Sequence, residues 1–322
     1  MRDVERGETS IAVLLPCFNE AATIGKVVRD FRAALPGARI YVFDNNSTDG
    51  TADEAQAAGA VVRREPEQGK GYVVRRMFAD IEASVYVLAD GDDTYDAAMA
   101  PVLVTRLLDD DLAMVVGRRV HGEAGAYRAG HRFGNELFTR AVALMFGRRF
   151  HDILSGYRVL SRRLVKSLPM FAAGFEVETE ITIHTLTLGL PVAEIDTRYQ
   201  PRPAGSASKL RTYRDGFRVV WKIAGLVRSE RPLAYYWSIG ATLVAAALAL
   251  AFPVVREFLD TGLVPRFPTA ILATGMVLSG LISGAAGLIL DAVTLGRREA
   301  KLLAYLAAGR GAMPEPEERD NP

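Results

Sequence analysis

Val85-Tyr86-Val87-Leu88-Ala89-Asp90-Gly91-Asp92-Asp93 is an apolar run that stops abruptly in three carboxylates within four residues. The apolar part has the length of a buried strand. The acids then fall at the C-terminal edge of a sheet, where α/β proteins bind ligands. Carboxylates are hard oxygen ligands for divalent cations, so the stretch predicts a metal site for a phosphorylated substrate. An isolated acidic turn is as often plain solvated surface, and the neighbouring segments decide between the two.

Around this stretch, short β-rich runs alternate with helical patterns. Ile11 to Leu15, Ile40 to Phe43, Ala60 to Val62 and Met114 to Val116 read as strands, and residues 21–34, 51–58, 71–83 and 98–109 as helices. Alternating βα units predict a doubly wound, mostly parallel sheet with its ligand loops on one edge. Ser47, Thr48 and Asp49 offer N-cap side chains to the second helix. Further on, the pattern predicts a helix over 132–146, a turn-rich Asp152 to Arg158, a helix around 176–188 and a strand over 192–199. A Pro-, Gly- and Ser-rich loop follows and carries Lys209, which can close over a phosphate.

Composition narrows the function. A net charge of +1 over 322 residues gives no basic field for nucleic acid. The single cysteine, Cys17, excludes an intrachain disulfide and a cysteine-based zinc cluster, and the four histidines are too dispersed for a zinc signature. The first ten residues are polar and charged, unlike a signal peptide, so the N-terminal part is expected in the cytosol.

The C-terminal third is different. An amphipathic helix over 213–231 sets Phe217, Val220, Trp221 and Leu226 against Arg214, Arg218, Lys222 and Arg228, as a helix lying on a membrane does. Two charge-free stretches follow, at about 233–255 and 268–290. Each exceeds the ~20 residues needed to cross a bilayer. Lys222, Arg228 and Arg231 precede the first, and Arg297, Arg298 and Lys301 follow the second, which places both flanks in the cytoplasm. Gly275, Ser279, Ser283 and Gly287 recur every four residues in the second, a face for close packing against the first span or another protomer.

With Pro16-Cys17-Phe18-Asn19-Glu20 after the first strand and Asp44-Asn45-Asn46-Ser47-Thr48-Asp49-Gly50-Thr51 after the second, the chain resembles the family 2 glycosyltransferases of GT-A fold. The resemblance implies that Pro16, Asn19, Glu20, Asp44 and Asn46 line the donor nucleotide. It also implies that Asp90 and Asp92 engage the diphosphate through Mg²⁺ or Mn²⁺. Asn45 stands where many members have a second Asp. Gln68-Gly69-Lys70-Gly71 is similar to the family's Gly-Lys-Gly loop, and glycines there let backbone approach phosphate closely. Arg118 and Arg119, His131 with Arg132, and Asp152-x-x-Ser155-Gly156-Tyr157-Arg158 resemble the polyprenyl-phosphate branch. Arginine suits an acceptor phosphate because its planar fork binds oxygens bidentately and stays charged. Arg119, Arg132, Arg158 and Lys209 are therefore the acceptor-phosphate candidates, with Asp92, Asp152 and Arg158 as catalytic candidates. Of Glu176, Glu178 and Glu180, whose spacing scatters them around a helix, Glu178 is favoured for sugar or loop contacts.

The expected organisation is a cytoplasmic GT-A domain over 1–212, the juxtamembrane helix over 213–231, a transmembrane pair over 232–295, and a cytoplasmic, partly disordered tail over 296–322. The expected reaction is inverting transfer of one sugar from a nucleotide diphosphate sugar, UDP-glucose, UDP-N-acetylglucosamine or GDP-mannose, to polyprenyl phosphate at the inner membrane's cytoplasmic face. A processive polysaccharide synthase fits less well, since no Gln begins a Gln-x-x-Arg-Trp motif. A noncatalytic scaffold that binds nucleotide sugars is the third reading.

Overall fold

The computed structural model describes residues 9–121, 151–174, 176–201, 225 and 227–309. The chain divides into two compact units, residues 1–213 with 301–322, and residues 214–300. In the first unit, strands β1 (Ile11–Cys17), β2 (Arg39–Asp44), β3 (Val61–Arg64), β4 (Val85–Leu88), β5 (Met114–His121), β6 (Arg158–Ser161) and β7 (Val192–Tyr199) form one sheet of order β3-β2-β1-β4-β6-β5-β7. Only β6 runs antiparallel to its neighbours, β4 and β5. The helices are α1 (Ala21–Ala34), α2 (Thr51–Ala57), α3 (Lys70–Asp80), α4 (Ala100–Asp109), α5 (Arg162–Ser167) and α6 (Val177–Thr187).

Side chains alternate across a strand, so each inner strand feeds two cores. Val13, Leu15, Val85 and Val87 pack with Ile24, Val28 and Phe31 of α1 and with Leu103 and Leu107 of α4. On the other face, Tyr86 meets Phe78 of α3 edge-on, with ring centroids 6.3 Å apart. Burial on both faces explains why β4 reads as an unbroken apolar run. The sheet's C-terminal edge is where the chain turns sharply. Asn19, Asn46 and Asp93, just past β1, β2 and β4, have positive φ of 53°, 65° and 57°. Asn and Asp tolerate that conformation better than other non-glycine residues.

In the second unit, α7 (Pro232–Thr261) and the bulk of α8 (Phe267–Ala307) are long and apolar enough to cross a membrane, with mean hydropathy 2.1 and 1.9. The small-residue face of α8 is used within the chain. A Cβ on Gly240 of α7 would stand 2.7 Å from the Gly280 carbonyl oxygen, and Ser283 Oγ donates to Tyr236 O at 2.9 Å. The helix expected over 132–146, and most of the amphipathic helix over 213–231, lie outside the described residues.

His184 on α6 is buried, and neither ring nitrogen has a hydrogen-bond partner among the described residues. Burial, and then the positive charge of Lys301 in the same unit, push its pKa down from 6.5 to about 4. Between those values the unfolded chain takes up a proton that the native state refuses. Stability is therefore complete above about pH 6.5 and falls as pH drops towards 4, by up to about 3 kcal/mol. The unfolding midpoint should decline over that window, and His184→Leu should make the decline shallower in a thermal melt series.

Candidate active site

Four acids converge where β1, β2 and β4 end. The Cys17 thiol, buried at the end of β1, is pushed up by burial and then by the negative charges of Glu20, Asp90, Asp44 and Asp92. Cys17 is a packing residue, and its surroundings report a concentration of negative charge at this edge of the sheet. Asp44 is buried, and its carboxylate accepts from Ser47 N at 3.3 Å. Asp92 is 2% exposed, and its Oδ1 accepts from Thr94 N at 3.3 Å and Thr94 Oγ1 at 2.6 Å. Asp93, the third acid of the run, turns away to pair with Lys26 of α1 at 2.7 Å.

Lys70, the first residue of α3, inserts its ammonium between Asp90 Oδ1 and Glu178 Oε1, the latter at 2.5 Å. Burial alone would lower its pKa; the charges of Asp90 and Glu178 overcome that and raise it, so Lys70 stays protonated. The spacing of Glu176, Glu178 and Glu180 separates them as expected, and each of the latter two has its own task. Glu178 faces Lys70, while Glu180 accepts from Phe171 N at 2.9 Å and Ala172 N at 2.8 Å. The loop thereby held lies on the start of α3, where Gly71 N donates to Ala173 O at 3.1 Å. A Cβ on Gly71 would come within 1.9 Å of Ala172 O, so only glycine admits this approach.

Asn45 explains itself here. Its Nδ2 donates to Glu65 O at 2.9 Å and Glu67 O at 2.7 Å, and its Oδ1 accepts from Gly69 N at 2.8 Å and Gln68 Nε2 at 3.2 Å. Both donors and both acceptor sites of one amide are used, and they shape the loop leading to Lys70. An aspartate cannot donate to the two carbonyls. Asn45→Asp should cost about 1–3 kcal/mol, read as a lowered midpoint in thermal melts.

Other expectations change on inspection. Asn19 ties two loops together, its N–H donating to Ser47 Oγ and its Oδ1 accepting from Thr48 N, both at 2.9 Å. Asn46 does similar work, donating to Pro66 O at 2.8 Å. These bonds lace the loops after β1, β2 and β3 together. Glu20 N donates to Thr51 Oγ1 at 2.9 Å, and Pro16 stands in register with Phe43 at the end of β1. The residue before α2 is Gly50, with no side-chain cap; Asp49 instead accepts from Thr51 N at 3.1 Å and Ala21 N at 3.1 Å.

Asp152, a catalytic candidate by sequence, is paired with Arg119. Its Oδ2 accepts from Arg119 Nε at 2.7 Å and Arg119 N at 3.1 Å, and its Oδ1 from Nη2 at 2.8 Å. A carboxylate committed to a guanidinium on both oxygens orients that guanidinium. Arg119 also stacks over the Tyr199 ring, 5.5 Å from its centroid. Arg158, expected at the acceptor phosphate, spends its guanidinium inside the fold. It is 0% exposed, donating to Ser155 O at 2.9 Å, Ile153 O at 2.6 Å and Thr182 Oγ1 at 2.8 Å. Burial lowers its pKa to about 10, which leaves it charged at neutral pH. Arg132 and Lys209 lie outside the described residues. Sequence reading passed over Thr94, Tyr95 and Tyr199. Tyr95 Oη accepts from Gly156 N at 2.8 Å and its ring meets Tyr199 with centroids 5.3 Å apart, which joins the loop after β4 to the Asp152 loop.

Among the described residues no three metal-ligating side chains form a cage. Asp90 and Asp92 offer two carboxylates at one edge, which fits a Mg²⁺-type ion shared with substrate phosphates rather than one enclosed by protein.

A mostly parallel sheet whose acid-tipped strands β1, β2 and β4 meet a buried lysine defines a glycosyltransferase of the GT-A kind. The chain belongs to glycosyl transferase family 2, whose model matches residues 12–168. It is 34% identical over 250 residues to the glycosyltransferase AglJ of Haloferax volcanii, covering 77% of this chain and 82% of that one. It is 28% identical over 221 residues to a dolichyl-phosphate hexose transferase of the same organism, covering 69% of this chain and 95% of that one. A similar solved structure is glucosyl-3-phosphoglycerate synthase from Mycobacterium tuberculosis in complex with Mn²⁺, UDP-glucose and phosphoglyceric acid. Its TM-score is 0.54 at 28% identity, covering 69% of this chain and 80% of that one.

Proposed function

We propose that this glycosyltransferase moves one sugar, with inversion, from a nucleotide diphosphate sugar to a polyprenyl phosphate at the cytoplasmic face of the inner membrane. The observation that carries the reading is a charged donor edge, Asp90, Asp92 and Lys70, in a chain that also has two helices of bilayer length. Likeness to a dolichyl-phosphate hexose transferase supports the lipid acceptor. In this reading residues 1–212 are the catalytic domain, 232–295 hold the membrane pair, and 213–231 and 296–322 are the juxtamembrane and cytoplasmic segments, with α8 continuing to Ala307. The basic residues flanking the spans support the cytoplasmic orientation of both ends.

In the reaction, the bond from the anomeric carbon to the diphosphate oxygen breaks with its electron pair, and a lipid phosphate oxygen forms the new bond. A phosphate monoester has a second pKa of about 6, so the nucleophile is already largely ionised and needs no base. This agrees with Asp152 being committed to Arg119. Asp90 and Asp92 would hold Mg²⁺ or Mn²⁺, whose chemistry is to neutralise charge on the departing diphosphate. Lys70, kept charged at the start of α3, would add a cation for the same phosphates. Arg119, fixed by Asp152 and Tyr199, would meet the acceptor phosphate in one orientation.

The test is nucleotide release by detergent-purified protein with Mn²⁺ or Mg²⁺, across UDP-glucose, UDP-N-acetylglucosamine and GDP-mannose, with and without undecaprenyl phosphate. The expected result is release that requires the lipid, with one donor, and a lipid-monosaccharide product. A polymer would indicate a processive synthase, and binding without lipid-dependent release a scaffold. An arm with 3-phosphoglycerate addresses the soluble acceptor suggested by the mycobacterial synthase; transfer to it in place of the lipid would overturn the proposal.

A further inference from the structure

The Lys70 ammonium has two carboxylate partners of unequal exposure. The Glu178 side chain is 4% exposed and the Asp90 side chain 28%. Asp90 is also one of the two carboxylates placed to hold a divalent cation, so two cations claim it. Glu178 is more deeply buried, with the Arg158 guanidinium as a second, longer-range charge, and losing Lys70 would strip a buried carboxylate of its direct ion-pair partner. Its backbone is fixed as well, since Thr182 Oγ1 donates to Glu178 O at 2.9 Å. Two residues further along α6, Glu180 grips the loop that presses on Gly71, so α6 and the first turn of α3 are tied at two points.

We propose that Glu178 is a positioning residue of the donor site, the fixed anchor on which the Lys70 ammonium pivots from Asp90 to a donor phosphate as Asp90 takes up the divalent cation. The proposal rests on the reading above that the donor is a nucleotide diphosphate sugar. The pocket then holds Lys70 as a resident cation whose departure from Asp90 is coupled to the arrival of metal and diphosphate. An ammonium with three donors can keep one partner while exchanging another. The coupling has a signature that packing alone would not produce. Removing the ammonium frees Asp90 for the metal but removes a phosphate contact, so metal affinity and nucleotide affinity should move in opposite directions.

The experiment is calorimetry on the full, detergent-purified chain, measuring Mn²⁺ alone and then UDP or GDP with Mn²⁺ present. Lys70→Met should bind Mn²⁺ alone more tightly than wild type and the nucleotide about 10–100-fold more weakly, the usual range for a supporting contact at a metal site. Glu178→Gln should weaken the nucleotide to a similar extent, and the double variant should be no worse than Lys70→Met alone. Losses that add, or an Mn²⁺ affinity that Lys70→Met leaves unchanged or weakens, would overturn the anchor role. Should Glu178→Gln not fold, Lys70→Met/Glu178→Met leaves no lone buried charge and takes its place: nucleotide affinity equal to that of Lys70→Met supports the anchor, and a further loss overturns it. Wild-type protein that binds neither UDP nor GDP would overturn the donor reading itself, and the anchor with it.

Discussion

Asp92→Asn is expected to lower sugar transfer by about 10³-fold, the scale of losing a preorganised electrostatic contact at the reacting centre, while the protein folds as before. The fold is spared because the substitution is isosteric and the amide keeps a carbonyl oxygen. That oxygen can still accept from Thr94 N and Thr94 Oγ1, which now bond Asp92 Oδ1 at 3.3 and 2.6 Å. What disappears is one negative charge at a site where Asp44, Asp90 and Glu20 crowd the same Cys17. A neutral amide is a poor ligand for a hard divalent cation. The measurement is lipid-dependent nucleotide release over a Mn²⁺ titration, with a thermal melt as control. Unchanged release at saturating Mn²⁺ would remove Asp92 from the metal site. A lowered melting point together with lost activity would instead make it a structural residue.

That the Asp90–Asp92 edge was readable from sequence, and much else was not, follows from where the information lies. Strand β4, buried on both faces, announces itself by composition and runs as read, Val85–Leu88; the mostly half-buried β7 also runs as read, Val192–Tyr199. Helix α1, Ala21–Ala34, is likewise marked at both ends by its apolar spacing. Strand β6 is not among the strands expected from sequence, where only its first residue, Arg158, is placed, at the end of a turn-rich segment. Its identity comes from pairing with β4 and β5, which are distant in sequence. The site divides the same way. Acids at strand ends are local signals. By contrast, Asn45 read as a missing carboxylate, and only the positions of the Glu65 and Glu67 carbonyls make an amide necessary. The fate of Glu178 was set by Lys70 on another helix, to which i,i+2 spacing is blind.

Arg158 is where a sequence expectation and the structure diverge most, and its replacement separates them. Arginine is rarely buried, so an Arg in a turn-rich segment near a phosphate site reads as a ligand for phosphate. The structure spends that guanidinium internally. Ile153 O and Ser155 O lie in the loop that carries Asp152, and Thr182 lies on the helix that carries Glu178. Arg158→Met should leave two buried carbonyls without their donor, at about 1–3 kcal/mol each. In a chain of this size that lowers the melting point by roughly 5–15 °C. Arg158→Lys should recover little of it, because a point-charge ammonium cannot span the two carbonyls as the fork does. Activity should fall with stability, and the surviving folded protein should show its larger defect in KM for the lipid acceptor, since the displaced Asp152 no longer orients Arg119. Direct phosphate binding by Arg158 predicts the reverse, an unchanged melting point with transfer abolished. A melting curve alone therefore decides whether this arginine meets the acceptor or holds the loop that orients Arg119.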